Sequence, residues 1–341
     1  MQMWRWKVAE MELGVLAGIS SDWEADLEKV KIAEELGYQF VGMGEAWGPS
    51  SIPWLTAIAL NTSKITIGTT ILNVFSRTPS AMAQDFAVLD QMSDGRMVLG
   101  LGSSGQMVIE QFHGVPFKKP LRRLREYADI FNSLIAGEKL EYDGDIFSME
   151  RGFRLNYPSR RDHIPVWIAA ITPKSIAQTG ELGDGIFPIH WPKGLFEDLR
   201  TQLNEAATTA GRGAVDMTIA PFTRVYVLDG TEDEAQWAAA REPLHYYINR
   251  MGVFYYQMLE RHGFEAEVGE SRARWADRDV EASKAAITEA MVREIQVIGS
   301  AESVREQLAE RAVLGADLQL IQMPPGSPVE AGRELETLIK A

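Results

Sequence analysis

The chain contains no cysteine, which rules out disulfides, thiolate metal ligands and a cysteine nucleophile together. Its five histidines are scattered, with no H-x-x-x-H or H-E-x-x-H spacing, so no catalytic metal is expected. Positive charge is short as well: 34 Lys and Arg against 48 Asp and Glu leave a formal net charge of −14 and a pI near 4.9. Binding nucleic acid or an anionic membrane needs a basic face that these totals disfavour. No apolar run reaches the roughly 18 residues of a membrane span, and no tract is of low complexity. The opening stretch MQMWRWKVAEMELGV lacks the apolar core and small-residue cleavage site of a signal peptide. Residues 1–10 therefore read as a short extension before the first strand, and the chain as cytoplasmic.

What is present is enough apolar residue, 45% of 341, for a large core. Three phrases repeat one design: ELGYQFVGMGE from Glu35, ELGDGIFPIHW from Glu181 and VLGADLQLIQM from Val313. Each is a helix end, a glycine and a buried strand. Gly37, Gly183 and Gly315 stand where a helix C-cap calls for positive φ. Helix starts are equally marked: Ser21 with Glu24 reads as a capping box, and Thr78-Pro79 and Thr172-Pro173 put a hydroxyl at the N-cap and proline in the first turn. The patterning predicts strands near 11–17, 38–44, 64–72, 96–101, 165–170, 185–190, 217–228 and 317–323. Helices are predicted near 22–36, 52–62, 79–92, 120–136, 173–182, 194–210 and 300–314. Eight near-continuous apolar strands, each followed by a helix or long connection, favour one closed (β/α)8 barrel spanning 1–341 over an open doubly wound sheet. Two segments break the alternation: a turn-rich piece at 138–157, and residues 229–298 between strands seven and eight. The second is rich in aromatics (Trp237, Tyr246, Tyr247, Phe254, Tyr255, Tyr256) and reads either as a helical excursion on the barrel or a partner, or as a substrate lid.

One motif invites a wrong reading. Gly100-Leu101-Gly102-Ser103-Ser104-Gly105 is a G-x-G-x-x-G after a short apolar run. A dinucleotide fingerprint belongs to the first βα unit and expects an acidic strand end about 20 residues on. Here the motif opens the fourth unit, and a loop and helix follow. The local physics survives: small residues past a strand let backbone N–H groups and the Ser103 and Ser104 hydroxyls approach an anion.

The run ITIGTTILNVFSRTPSAMAQDFAVLDQMSDGRMVLGLGSSG with FHGVPFKKPLRRLREY resembles the luciferase-like superfamily of flavin and deazaflavin oxidoreductases. SRTPSAMAQ…LDQMSDGR is most similar to the branch that uses the deazaflavin F420, such as methylenetetrahydromethanopterin reductases; FMN-dependent monooxygenases are close relatives. The resemblance implies a (β/α)8 barrel, commonly dimeric, with the cofactor at the C-terminal strand ends, passing a hydride to or from a small substrate. A bulge and a non-prolyl cis peptide backing the deazaflavin ring would fall on Thr70-Ile71, with Asn73 beside them. Phosphate-cradling turns would map onto Gly102, Ser103, Ser104 and Gly105, and onto Ala170, Ile171 and Thr172; Arg77 would offset a cofactor anion.

Departures from the family concern the substrate. Many relatives carry an acidic residue and a histidine after strand two, where this chain has Glu45-Ala46-Trp47, and sugar-phosphate dehydrogenases use an acid where this chain has Gly105-Gln106. Glu45 at the end of strand two and His190 at the end of strand six are the candidate proton handlers, and His113 reads as loop architecture. Hydride transfer needs no protein nucleophile, which suits a chain without cysteine. The readings this leaves are an F420-dependent oxidoreductase, an FMN-dependent monooxygenase, or a flavin-binding protein without chemistry.

Overall fold

The computed structural model describes residues 11–213 and 216–339, so the extension expected at 1–10 lies outside the described residues. Eight parallel strands form the frame: Glu12–Leu16, Phe40–Met43, Thr66–Thr69, Met97–Gly102, Val166–Ala169, Gly185–Phe187, Thr218–Ile219 and Leu318–Gln322. They are called strands one to eight. Strand one lies between strands two and eight, pairing Gly14 with Phe40 and with Leu320. Closure between strands seven and eight is thinner: Phe222 bridges Ile189 on one side and Leu320 on the other, and the Thr223 N–H donates to the Leu320 carbonyl. The result is a nearly closed (β/α)8 barrel.

Helices form where the sequence offers caps. The Thr78 hydroxyl accepts from the Ala81 N–H at the start of Pro79–Met92, and Thr172 and Ser175 cap each other reciprocally at the start of Pro173–Leu182. The expected Ser21–Glu24 box is not the cap used. Asp22 is the N-cap of Trp23–Leu36, accepting from Ala25, because the acceptor nearest the first turn sits one residue later. Gly37 and Gly315 adopt positive φ of 93° and 112°, whereas Gly183 lies at −88°. Gly183 is needed for space instead: a Cβ there would stand 3.1 Å from the Thr179 carbonyl oxygen.

Two predicted strands are broken. The run 64–72 contains an extra residue: between the pairs Gly68–Val98 and Leu72–Leu101, strand three advances four positions and strand four three. This is a bulge, and the Thr69 hydroxyl fills the interrupted ladder, donating to the Gly100 carbonyl and accepting from the Gly100 N–H, each at 2.8 Å. The run 217–228 is divided at Pro221, which has no N–H to offer a ladder. After it, Val225–Val227 leaves the barrel and pairs in parallel with Val297–Gly299, a strand the sequence reading missed. Strand six likewise ends at Phe187, ahead of the expected 190.

The barrel interior holds Phe40, Val98, Trp167, Phe187, Ala220, Leu318 and Leu320. Phe40 stacks on Trp167 with centroids 5.4 Å apart, and each buried aromatic of this kind contributes about 1.5–3 kcal/mol of hydrophobic stabilisation. Between strands seven and eight the insertion folds as helices Asp233–Arg250, Val253–Arg261, Glu265–Ala276, Val280–Ala285 and Glu289–Ile295. The 138–157 piece is an antiparallel hairpin, Leu140–Asp143 with Ser148–Phe153. A last helix, Pro328–Ile339, was not expected from the sequence. Among the described residues no helix is long and apolar enough to cross a membrane.

Candidate active site

The C-terminal strand ends gather most of the residues singled out from sequence. The peptide Thr70-Ile71 is cis and non-prolyl, inside the bulge of strand three. Its neighbours hold it from the side of strand two: the Thr70 N–H donates to the Met43 carbonyl at 2.9 Å, and the Glu45 N–H donates to the Ile71 carbonyl at 3.0 Å. Gly44 must be glycine for this approach, since a Cβ would lie 2.5 Å from the Thr70 carbonyl oxygen. Two residues on, Asn73 is fully buried; its Oδ1 accepts from the Phe75 and Ser76 N–H groups, while its Nδ2 has no partner among the described residues. A buried amide left half-satisfied can donate to a ligand acceptor.

The glycine-rich turn follows on strand four. A Cβ on Gly102 would press on the Ile71 side chain at 2.9 Å, so glycine keeps the turn against the cis peptide. Ser104 takes φ of 57°, and the N–H groups of Ser103, Ser104 and Gly105 donate to nothing among the described residues. Nothing lies within 4 Å of a Cβ built on Gly105, so space beyond the turn is open. Adjacent free N–H donors with small side chains are suited to a phosphate or carboxylate. The second expected cradle, Ala170-Ile171-Thr172, is less free. The Thr172 N–H donates to Ser175 Oγ, the Thr172 hydroxyl accepts from the Ser175 N–H, and the Ile171 carbonyl accepts from Arg261 of the insertion.

Glu45 is clamped. Arg77 grips both carboxylate oxygens, at 2.8 and 3.2 Å, and Ser51 donates its N–H and hydroxyl at 3.0 and 3.1 Å. Burial alone would raise its pKa, but the bonds from Arg77 and Ser51 outweigh it and hold the carboxyl below its ordinary value. Arg77, expected to face a cofactor anion, has its charge engaged by Glu45. His190 sits across the barrel, 4% exposed, with φ of 53° and no partner for Nε2. Burial, helped by the charge of Arg224, drives its pKa from 6.5 down to about 3. Glu45 and His190 make no contact with each other. His113 caps the short turn Val108–Phe112 and its ring meets Phe112, consistent with loop architecture.

Sequence reasoning missed Ser51, Thr223 and Arg224. Ser51 was signalled by its place at the helix start straight after the strand-two loop, and Arg224 by its place just past strand seven. The insertion reaches this rim: Tyr247 packs edge-on against His190 at 4.5 Å, and His262 against Trp191 at 4.4 Å.

Comparison with known proteins agrees with this fold. The Mycobacterium tuberculosis protein Rv3520c, whose name places it among coenzyme F420-dependent oxidoreductases by inference, is 28% identical over 97% of this chain and 99% of its own. The 5,10-methylenetetrahydromethanopterin reductase of Archaeoglobus fulgidus is 26% identical over 88% of each chain. The solved structure of the coenzyme F420-dependent tetrahydromethanopterin reductase of Methanopyrus kandleri shares the fold with a TM-score of 0.80 at 20% identity, covering 97% of this chain and 98% of that one. The sequence model of the luciferase-like monooxygenases matches residues 10–318, and the chain belongs to that family of oxidoreductases.

Proposed function

We propose that this protein is an F420-dependent oxidoreductase that transfers a hydride between the deazaflavin and a small organic substrate, at a C=C, C=N or C=O/alcohol centre. The observation that carries the reading is the bulged strand three, with its cis Thr70-Ile71 peptide set between the loops of strands two and four and the orphaned Asn73 amide beside it. The names of the F420-dependent relatives support the choice of cofactor. Thr70, Ile71 and Asn73 would back the ring; Gly102, Ser103, Ser104 and Gly105, with Ala170, Ile171 and Thr172, would hold its anionic side chain. When bound, the deazaflavin supplies a carbon that accepts or donates a hydride.

The chain's own residues orient, shield and exchange a proton. Glu45 as carboxylate and His190 as neutral imidazole are both unprotonated; Glu45 is engaged by Arg77 and Ser51, which leaves the unpartnered Nε2 of His190 as the free acceptor for a substrate O–H. Glu45 also anchors the Ile71 carbonyl through its backbone N–H. We propose further that the protein is a homodimer and acts in the cytoplasm.

Equilibrium titration of the purified protein with F420 and with FMN tests the cofactor reading. Saturable, tighter binding of F420 supports it. Preference for FMN points to a flavin monooxygenase, and absence of both defeats the oxidoreductase assignment.

A further inference from the structure

The rim between strands six and seven holds polar groups that the fold leaves unpaired. The bridge between Ile189 and Phe222 sets the next residues, His190 and Thr223, side by side at the end of the ladder. Thr223 is 1% exposed, and its Oγ1, like Nε2 of His190, makes no hydrogen bond to the described residues. A buried hydroxyl without a partner is destabilising, so a fold that keeps one generally fills it with ligand or water.

Arg224 follows directly. It is half-buried, and no carboxylate among the described residues pairs with it. Its surroundings are phenols and imidazole: its charge reaches His190, Tyr226 and Tyr247. Tyr247 closes the cluster from the insertion, its ring near-perpendicular to His190 at 4.5 Å and to Tyr255 at 4.7 Å between centroids.

We propose that Arg224 and Thr223, beside His190, bind the carboxylate of an organic-acid substrate, with Tyr247, Tyr255 and Phe222 covering its apolar body. This rests on the oxidoreductase reading and names its substrate class. The charge count selects a carboxylate over a phosphate: His190 is neutral, so the site holds one positive charge, which matches a monoanion and leaves a phosphate dianion half compensated. An arginine offers a planar fork to a carboxylate, and Thr223 would add a hydroxyl donor to the same group.

The test is calorimetric titration of the F420-saturated protein with benzoate, its neutral counterpart benzyl alcohol, and phenyl phosphate. Benzoate is expected to bind more than about tenfold tighter than benzyl alcohol and tighter than phenyl phosphate. Arg224→Met should abolish the preference over benzyl alcohol and Thr223→Val should reduce it, while F420 affinity, read by quenching of its fluorescence, stays within about twofold. The proposal is overturned by benzoate binding equally to Arg224→Met, by tighter binding of phenyl phosphate, or by loss of F420 affinity in Arg224→Met, which would assign the arginine to the cofactor. The same titrations on cofactor-free protein separate the two readings: if F420 does not bind wild type, benzoate selectivity still decides the carboxylate site.

Discussion

At the scale of the residue, charge state assigns the work. Glu45 is ionised and gripped by four bonds, and His190 is buried and neutral. Glu45→Gln and His190→Asn should each lower turnover by about 10²–10⁴ under saturating F420, with cofactor affinity nearly unchanged for His190→Asn. Near-wild-type rates in both variants would assign proton transfer to water or another group. The depressed pKa of His190 also fixes a pH dependence. The unfolded chain binds a proton at this residue below about pH 6.5 and the folded chain only near pH 3, so stability is complete above 6.5 and falls as pH drops through that window. The slope from one such group is at most about 1.4 kcal/mol per pH unit. Urea denaturation between pH 7 and pH 4 should show it, and His190→Asn should flatten the decline; an unchanged decline would place the proton elsewhere, His245 and His262 being the other histidines whose pKa burial depresses. Gly105 separates ligand from fold. Its Cβ position is open and its φ is not positive, so Gly105→Leu should leave Tm nearly unchanged while weakening F420 binding by tenfold or more, about 1.4 kcal/mol. Equal losses in both would make the turn purely structural.

At the scale of the element, the structure shows which signals carry and which mislead. The caps Thr78 and Thr172 and the apolar strands one, two, four and eight were legible because each depends on neighbours within a few residues. The strand at 217–228 was not: its apolar run is continuous, and only Pro221 and the distant Val297–Gly299 decide that its second half leaves the barrel. Gly183 looked like a positive-φ cap but serves close packing, a choice made by tertiary space. The site divides the same way. Thr70, Ile71, Asn73 and the strand-four turn could be read from family-like runs, whereas Arg224 and Thr223 gain meaning only when strand six and the insertion arrive beside them. The hairpin shows an element held by one side chain: the fully buried carboxylate of Glu126 accepts from the N–H groups of Asp145, Ile146 and Phe147. Glu126→Ala strands these donors and should cost about 2–4 kcal/mol by urea denaturation, with partial recovery in Glu126→Gln. A cost below about 0.5 kcal/mol would mean that water replaces the carboxylate there.

At the scale of the whole molecule, an eightfold parallel frame with loops collected at one end explains how a site assembles from residues spread between positions 45 and 224. The same frame leaves apolar side chains on neighbouring helices uncovered: Leu60 on Ser51–Asn61 and Val88 and Met92 on Pro79–Met92 are all exposed. If the proposed homodimer uses this face, Val88→Glu with Met92→Lys should convert wild-type dimer to monomer in sedimentation velocity; a wild-type monomer, or an unaffected dimer, removes that face from the account. A barrel mouth that holds a deazaflavin is checked by fluorescence titration of the wild-type protein with F420, repeated with FMN as competitor. Saturable one-to-one F420 binding is expected, with FMN displacing it only at an excess of about tenfold or more; FMN binding as tightly as F420, or no binding of F420 at all, would show that the mouth is not a deazaflavin site.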